Sequence, residues 1–103
     1  MVRWGEIWWH EAPDDEPRPH LVLTRDQAIP VLSTLLAIPA TRTVRGIPTE
    51  VQLDERDGMP KSCVLTIDNL TTVQRIHRTR RITVLDAERR RQVGAALAFA
   101  TSC

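Results

Sequence analysis

The sequence predicts a mainly β fold, a small barrel of short strands that is followed by one C-terminal helix. Runs rich in aromatic and β-branched residues recur along the chain, and turn-forming segments with proline or glycine separate them. Val51 and Leu53 alternate with polar residues, which is the period of a half-buried strand. After Asp86 the apolar spacing lengthens to that of a helix. Many short strands in a chain of this size are typical of a small barrel.

Five or six strands are expected ahead of the helix. They cover 6–10, 20–24, 35–40, 47–54, 62–70 and, as the sixth, 81–85. The segments between them are loops or turns at 11–19, 25–34, 41–46 and 55–60, and Pro30 limits the second of these to a short helical turn capped by Asp26. The helix follows the N-cap residue Asp86, and its apolar face repeats at i, i+3, i+4 and i+7 with Val93, Ala96, Leu97 and Ala100.

Size and composition indicate one folded domain that spans 1–103. Hydrophobic residues make up 42% of the chain and charged residues 26%, a balance that excludes a disordered protein. The net charge of +1 points to no class of partner, but seven arginines lie between Arg75 and Arg91, against two acids. Such a stretch can bind a polyanion, and a solvated helix face is the alternative for residues 89–91.

No segment indicates export or a membrane. Glu6 and His10 interrupt any apolar stretch near the start, and the longest uncharged run, 27–41, contains prolines and is too short to span a bilayer. Cys63 and Cys103 are too few for a disulfide framework and lack metal-ligand spacing. We therefore expect a cytoplasmic protein with two reduced thiols, a single disulfide being the alternative, and with no metal or other cofactor.

Four stretches of the chain carry short motifs in a characteristic order. They read "WGEIWW" (4–9), "PRPHLVLT" (17–24), "AIPATRTVRGIPTEVQLD" (37–54) and "SCVLTIDNLTTV" (62–73). Together they resemble the MazF/PemK family of toxin endoribonucleases. The chain departs from the family pattern at Trp4 and Thr71, where the family usually has arginine, and at Arg42, where a small residue is common. The loop between the first two strands also lacks the family's usual lid segment.

This resemblance implies an SH3-like barrel that forms a two-fold homodimer. It implies metal-independent, sequence-selective cleavage of single-stranded RNA, without a cofactor, and a cognate antitoxin protein that blocks the RNA groove. The family's catalytic arginine sits in an R-P pair, which is Arg18 here. Its catalytic threonine sits in a P-[IVA]-T segment, which is Thr41 here.

Arg18 and Thr41 suit the chemistry of such a reaction. Without a metal, the 2′-hydroxyl attacks the adjacent phosphorus, the 5′-oxygen leaves, and a cyclic phosphate and a 5′-hydroxyl remain. A guanidinium can stabilise the charge on the phosphate oxygens, and Pro17 and Pro19 restrict the backbone that carries it. A threonine hydroxyl can donate to the same oxygens. The alternatives are an ion pair of Arg18 with Asp15 or Glu16 and a loop-capping role for Thr41.

Further RNA contacts are expected from Trp4, His20, Arg42 and Arg45. Arg42 and Arg45 lie in the basic loop, where they can bind phosphate or simply be solvated. Strand alternation predicts Trp4 and Trp8 on one face and Trp9 with Ile7 on the other; one face belongs to the core and the other can stack bases.

Three alternatives remain open at this point. His10 and His20 flank the proline-rich loop and can face each other as a general acid and base, a rival catalytic arrangement. The chain can also be a gyrase poison of the CcdB type, although that type relies on a C-terminal aromatic residue and "AFATSC" has only Phe99. The third alternative is a catalytically inactive RNA-binding module of the same fold.

Overall fold

Seven antiparallel strands form the sheet of the protein, and one helix follows them. The structure is a computed structural model and describes residues 4–102. The strands are β1 Glu6–His10, β2 Arg18–Val22, β3 Thr34–Thr41, β4 Glu50–Leu53, β5 Cys63–Thr66, β6 Thr71–Gln74 and β7 Arg78–Val84, and the helix α1 is Ala87–Ala100. Their order across the sheet is β4-β5-β3-β2-β1-β7, with β6 paired to β3 outside this path. The predicted mainly β class with a C-terminal helix is confirmed.

Strand β3 connects the two parts of the sheet. Its first half, Thr34 to Ala37, pairs with β6, and its last two residues, Ala40 and Thr41, pair with β5. Its middle pairs with β2, with His20 opposite Pro39. The chain therefore places the start of β2 beside the end of β3.

Two apolar clusters hold the elements together. The main cluster contains fully buried Ile7, Leu21, Ile38 and Leu65 from four neighbouring strands, and Val93 and Ala96 of α1 cover it. A second, smaller cluster is formed by Val22, Ile29 and Leu35. Burial of these side chains is the dominant favourable term for the fold.

The helix and the first strand follow the predictions closely. β1 covers 6–10 as expected. Asp86 caps α1, where its Oδ1 accepts a hydrogen bond from the Arg89 N–H at 2.8 Å. Of the predicted apolar face, Val93 and Ala96 are buried and Leu97 is half-buried, whereas Ala100 is exposed in the last turn.

Of the predicted strand 62–70, only Cys63–Thr66 is confirmed as a strand. The strand ends at Thr66, a 3₁₀ turn occupies Ile67–Asn69, and the chain resumes as the unpredicted strand β6. The Thr49 hydroxyl donates to Asp68 Oδ2 at 2.6 Å and so stabilises this turn. The turn contains neither glycine nor proline, and the turn-forming pair Asp68-Asn69 is its only sign in the sequence.

Other strand boundaries shift by a few residues. β2 begins at Arg18 rather than at residue 20. Pro19 belongs to the strand and pairs with Trp9, because a proline is tolerated near the start of a strand. β4 is limited to 50–53, and β7 begins at 78 rather than 81. Thr41 belongs to β3 and not to the basic loop. No helix within residues 4–102 is long and apolar enough to cross a membrane.

Candidate active site

A cavity of about 520 Å³ opens where β2 begins and β3 ends. Its volume is in the range of ordinary ligand sites. In the antiparallel pair of β2 and β3, His20 lies opposite Pro39. Arg18 comes two residues before His20 and Thr41 two residues after Pro39, so both lie at the same end of the sheet, and both line the cavity. The structure therefore brings together the two residues that the sequence predicts to be catalytic.

The cavity combines an apolar floor with a cationic rim. Met59 and Ala40, which are 3% and 5% exposed, lie at its base. Three cations line it: Arg18, Arg42 and Lys61. Trp9, Pro17 and Pro19 also belong to the lining, and Glu16 supplies a carboxylate. A site with this charge attracts an anion such as a phosphodiester.

Arg18 is half-buried and lacks a carboxylate partner. Among the residues described, neither Asp15 nor Glu16 has an oxygen within 4.0 Å of its guanidinium nitrogens. The alternative prediction of a surface ion pair is therefore wrong. Its backbone is held from two sides, because it pairs with His10 in β1 and its carbonyl accepts a hydrogen bond from His20 Nδ1–H at 3.2 Å.

Thr41 is half-buried, and its hydroxyl donates to no group among residues 4–102. Oγ1 accepts a hydrogen bond from the Thr43 N–H at 3.3 Å. This contact corresponds to the predicted loop-capping role, but it uses only a lone pair of the oxygen. Since a threonine hydroxyl can accept and donate together, the capping role and donation to a phosphate are compatible.

Glu50 orders the basic loop that follows Thr41. Its carboxylate accepts hydrogen bonds from the Arg45 N–H at 3.0 and 3.1 Å and from the Gly46 N–H at 2.8 Å. Gly46 has a φ of 69°, a conformation that favours glycine. Both arginines of the loop are exposed, but Arg42 lines the cavity and Arg45 does not.

The tryptophans are arranged differently from the prediction. Gly5 has a φ of 125°, which breaks the strand alternation between Trp4 and β1. Trp4 consequently packs against the main core cluster, while Trp8 packs against the second cluster. Trp4 is absent from the cavity lining and Trp9 is present in it, so the RNA contact of Trp4 stays a prediction that this cavity does not support.

The histidines do face each other, as predicted, but they are buried. The ring centroids of His10 and His20 are 4.7 Å apart, and the side chains are 8% and 6% exposed. Burial lowers the pKa of both, and for His10 the neighbouring His77 lowers the pKa further. Neither lines the cavity. His20 thus lies behind the start of β2, where it holds the Arg18 carbonyl, and both its direct RNA contact and the rival acid–base pair stay predictions.

Among the lining residues that were not predicted as site residues are one aromatic and two charged side chains: Trp9, Glu16 and Lys61. Glu16 and Lys61 lie in loops without a local pattern, and Trp9 is identified only through its neighbours in space. Cys63 also lines the cavity, and burial raises the pKa of its thiol. Cys103 lies outside the described residues.

Comparison with known proteins gives a consistent result. The family model of PemK-like, MazF-like toxins of type II toxin–antitoxin systems matches residues 3–100. A curated relative, the "Probable endoribonuclease MazF5" of Mycobacterium tuberculosis, is 36% identical over 100 residues, which are 96% of this chain and 92% of the relative.

Solved structures agree with the family match. The Mycobacterium tuberculosis toxin MazF-mt6 superposes with a TM-score of 0.85 at 33% identity and covers 92% of this chain and 94% of its own. A MazE-MazF structure from Deinococcus radiodurans superposes with a TM-score of 0.81 at 25% identity and covers 100% and 99%. The predicted MazF-like fold is thus confirmed, and the chain belongs to the PemK-like, MazF-like family of type II toxin–antitoxin toxins.

Proposed function

We propose that the protein is an endoribonuclease toxin, a single domain over 1–103, that cleaves single-stranded RNA in the cavity between β2 and β3. The observation that carries this proposal is the Arg18 guanidinium, which has no ion-pair partner among residues 4–102 and lines the same cavity as Thr41. An arginine without a carboxylate partner remains available for a phosphate. The curated relative's name, an endoribonuclease, supports the same activity.

The cleavage step follows from the chemistry of the lining residues. The 2′-hydroxyl oxygen forms a bond to phosphorus, the bond from phosphorus to the 5′-oxygen breaks, and the products are a cyclic phosphate and a 5′-hydroxyl. Arg18 stabilises the charge that builds up on the phosphate oxygens, and its two N–H groups suit two oxygens. The Thr41 hydroxyl donates to one of these oxygens.

Proton transfer requires a different group from Arg18. A guanidinium is always protonated and therefore cannot accept the proton of the 2′-hydroxyl. Glu16 is the carboxylate in the lining, and we assign it this proton. A water molecule protonates the leaving 5′-oxygen. None of these steps uses a metal ion.

The cellular setting of the proposed activity follows from the family. Membership in a type II toxin–antitoxin family supports a protein antitoxin as partner. The resemblance further supports a homodimer that acts in the cytoplasm, where RNA is available to it. Arg42 in the lining and Arg45 in the exposed loop are the proposed phosphate contacts on either side of the scissile bond.

The test is cleavage of mixed-sequence single-stranded RNA by the purified protein in EDTA, with analysis of the ends formed. We expect cyclic phosphate and 5′-hydroxyl ends from the wild type. Arg18→Ala should lose at least about a hundredfold in rate, because it removes the main charge-stabilising group. Arg25→Ala is the matched control, since Arg25 is exposed and absent from the cavity lining. Thermal unfolding should be unchanged in both variants.

Each other outcome has a defined meaning. Wild-type rates for Arg18→Ala would remove this residue from the mechanism. RNA that is bound but left intact by the wild type would identify an RNA-binding module. RNA that is neither bound nor cut, together with inhibition of gyrase, would identify a gyrase poison.

A further inference from the structure

Arg80 stands apart from the other arginines of the basic stretch between Arg75 and Arg91. In the part of the chain that the structure describes, the other six guanidinium groups each lie within reach of a carboxylate or a backbone carbonyl. Arg78 and Arg81, for example, share Glu6. Arg80 has no such acceptor among residues 4–102, and it is exposed. Its charge is therefore available to a ligand.

Arg80 lies on the same face of the sheet as Trp9 and Pro19, two residues of the cavity lining. It is directly opposite Trp9 in the β1–β7 pair, and Trp9 is opposite Pro19 in the β1–β2 pair. Both Trp9 and Pro19 line the cavity. Side chains of directly paired residues share a face, so Arg80 extends the cationic rim of the cavity across β1 to the edge strand β7.

The Trp9 ring is only loosely covered by this arginine. The Arg80 guanidinium carbon lies 6.0 Å from the Trp9 ring centroid, whereas the Arg78 guanidinium carbon lies 4.0 Å from that of Trp8. Contact between stacked groups occurs at about 3.5–4.0 Å, so Arg78 is packed on its tryptophan and Arg80 is not. Trp9 is half-buried, which leaves part of its surface accessible from the cavity.

We propose that Trp9 and Arg80 form a nucleotide-binding subsite next to the cleavage site, in which an RNA base stacks on the Trp9 indole and Arg80 binds a neighbouring phosphate. This inference rests on the proposed function, because it takes RNA as the ligand of the cavity. Strands in a sheet lie about 4.8 Å apart, and β7 is two strands from β2, so the subsite lies roughly 10 Å from the strand of Arg18. That separation suits an adjacent nucleotide rather than the reacting phosphate.

The experiment measures binding without cleavage. A pool of short single-stranded RNA with 2′-O-methyl groups has no free 2′-hydroxyl and is bound but not cut. Binding constants are determined by fluorescence anisotropy over a range of salt concentrations for the wild type, Arg80→Gln and Arg81→Gln. Arg81 is the matched control because it loses the same charge but is paired with Trp8, on the opposite face, and with Glu6.

We expect Arg80→Gln to reduce the slope of log K against log salt concentration by about 0.7, the value for one phosphate contact on a single strand. Arg81→Gln should keep the wild-type slope. Trp9→Ala should weaken binding by at least about fivefold at every salt concentration, because stacking of a base is lost. Trp9→Phe, which keeps an aromatic face, should retain most of the affinity and also controls for effects of Trp9→Ala on folding.

Each of three results would overturn the subsite. They are equal slopes for Arg80→Gln and Arg81→Gln, wild-type affinity of Trp9→Ala, and a wild-type protein that binds no RNA. The two proposals fail separately. A wild type that binds the methylated pool through Trp9 and Arg80 but never cuts natural RNA refutes the endoribonuclease and leaves the subsite. Cutting that depends on Arg18, with normal binding by all variants of Trp9 and Arg80, refutes the subsite alone.

Discussion

Replacing Thr41 by valine tests its catalytic role with little change of shape. Within residues 4–102, the one hydrogen bond of the side chain is the 3.3 Å contact with the Thr43 N–H, which lies in an exposed segment where water can replace it. The structural cost is therefore small. A hydrogen bond to a charged group contributes about 1.5–3 kcal/mol, so loss of the bond to the phosphate should slow the chemical step by about 10- to 150-fold.

The assay is single-turnover cleavage of RNA in EDTA by the wild type, Thr41→Val and Thr41→Ser, with thermal unfolding of each variant. Thr41→Ser retains the hydroxyl and should cut within about fivefold of the wild type, since the bond to the phosphate is preserved. Wild-type rates for the valine variant would refute the reasoning. A serine variant as slow as the valine variant would show that the methyl group, and not the hydroxyl, matters.

Two further predictions concern stability. Asp57→Ala should lower the free energy of unfolding, measured by urea denaturation, by about 2–3 kcal/mol, because the buried Asp57 carboxylate accepts hydrogen bonds from Arg89 Nε–H and the Asp54 N–H, both at 2.9 Å. The exposed ion pair of Glu88 and Arg91 is the control, and Glu88→Gln should change the free energy of unfolding little. The free energy of unfolding should also fall as the pH drops below about 6.5, because burial lowers the pKa of His10 and His20 and the unfolded chain then binds more protons. His10→Gln should reduce this dependence, and equal denaturation midpoints at about pH 7.5 and 5 would contradict it.

The sequence predicted correctly the elements that depend on residues close together in the chain, namely strand β1 and helix α1. The aromatic run gave the bounds of β1, and the spacing after Asp86 gave the helix. The turn Ile67–Asn69 and strand β6 remained hidden because Ile67, Leu70 and Val73 carry apolar residues on past Thr66, and only pairing with β3 makes Thr71 to Gln74 a strand.

The candidate site was predictable only in part. Resemblance to a family identified Arg18 and Thr41, and the structure brings both to one cavity. The pairing of Trp9 with Arg80 joins distant parts of the chain, so no spacing along the sequence indicates it. Trp4 was misplaced because alternation was extended through Gly5, whose backbone conformation reverses the side on which the preceding residue lies.

The shared position of β3 between β2 and β5 has a consequence for how such toxins diversify. Arg18 and Thr41 are carried on paired strands, whereas Arg42, Arg45 and Lys61 are carried on loops that make few demands on the sheet. Mutations can accumulate in those loops without disturbing the residues assigned to bond breaking. Changes in these loops can therefore alter which ligand the cavity accepts while the strand-borne pair of Arg18 and Thr41 stays in place.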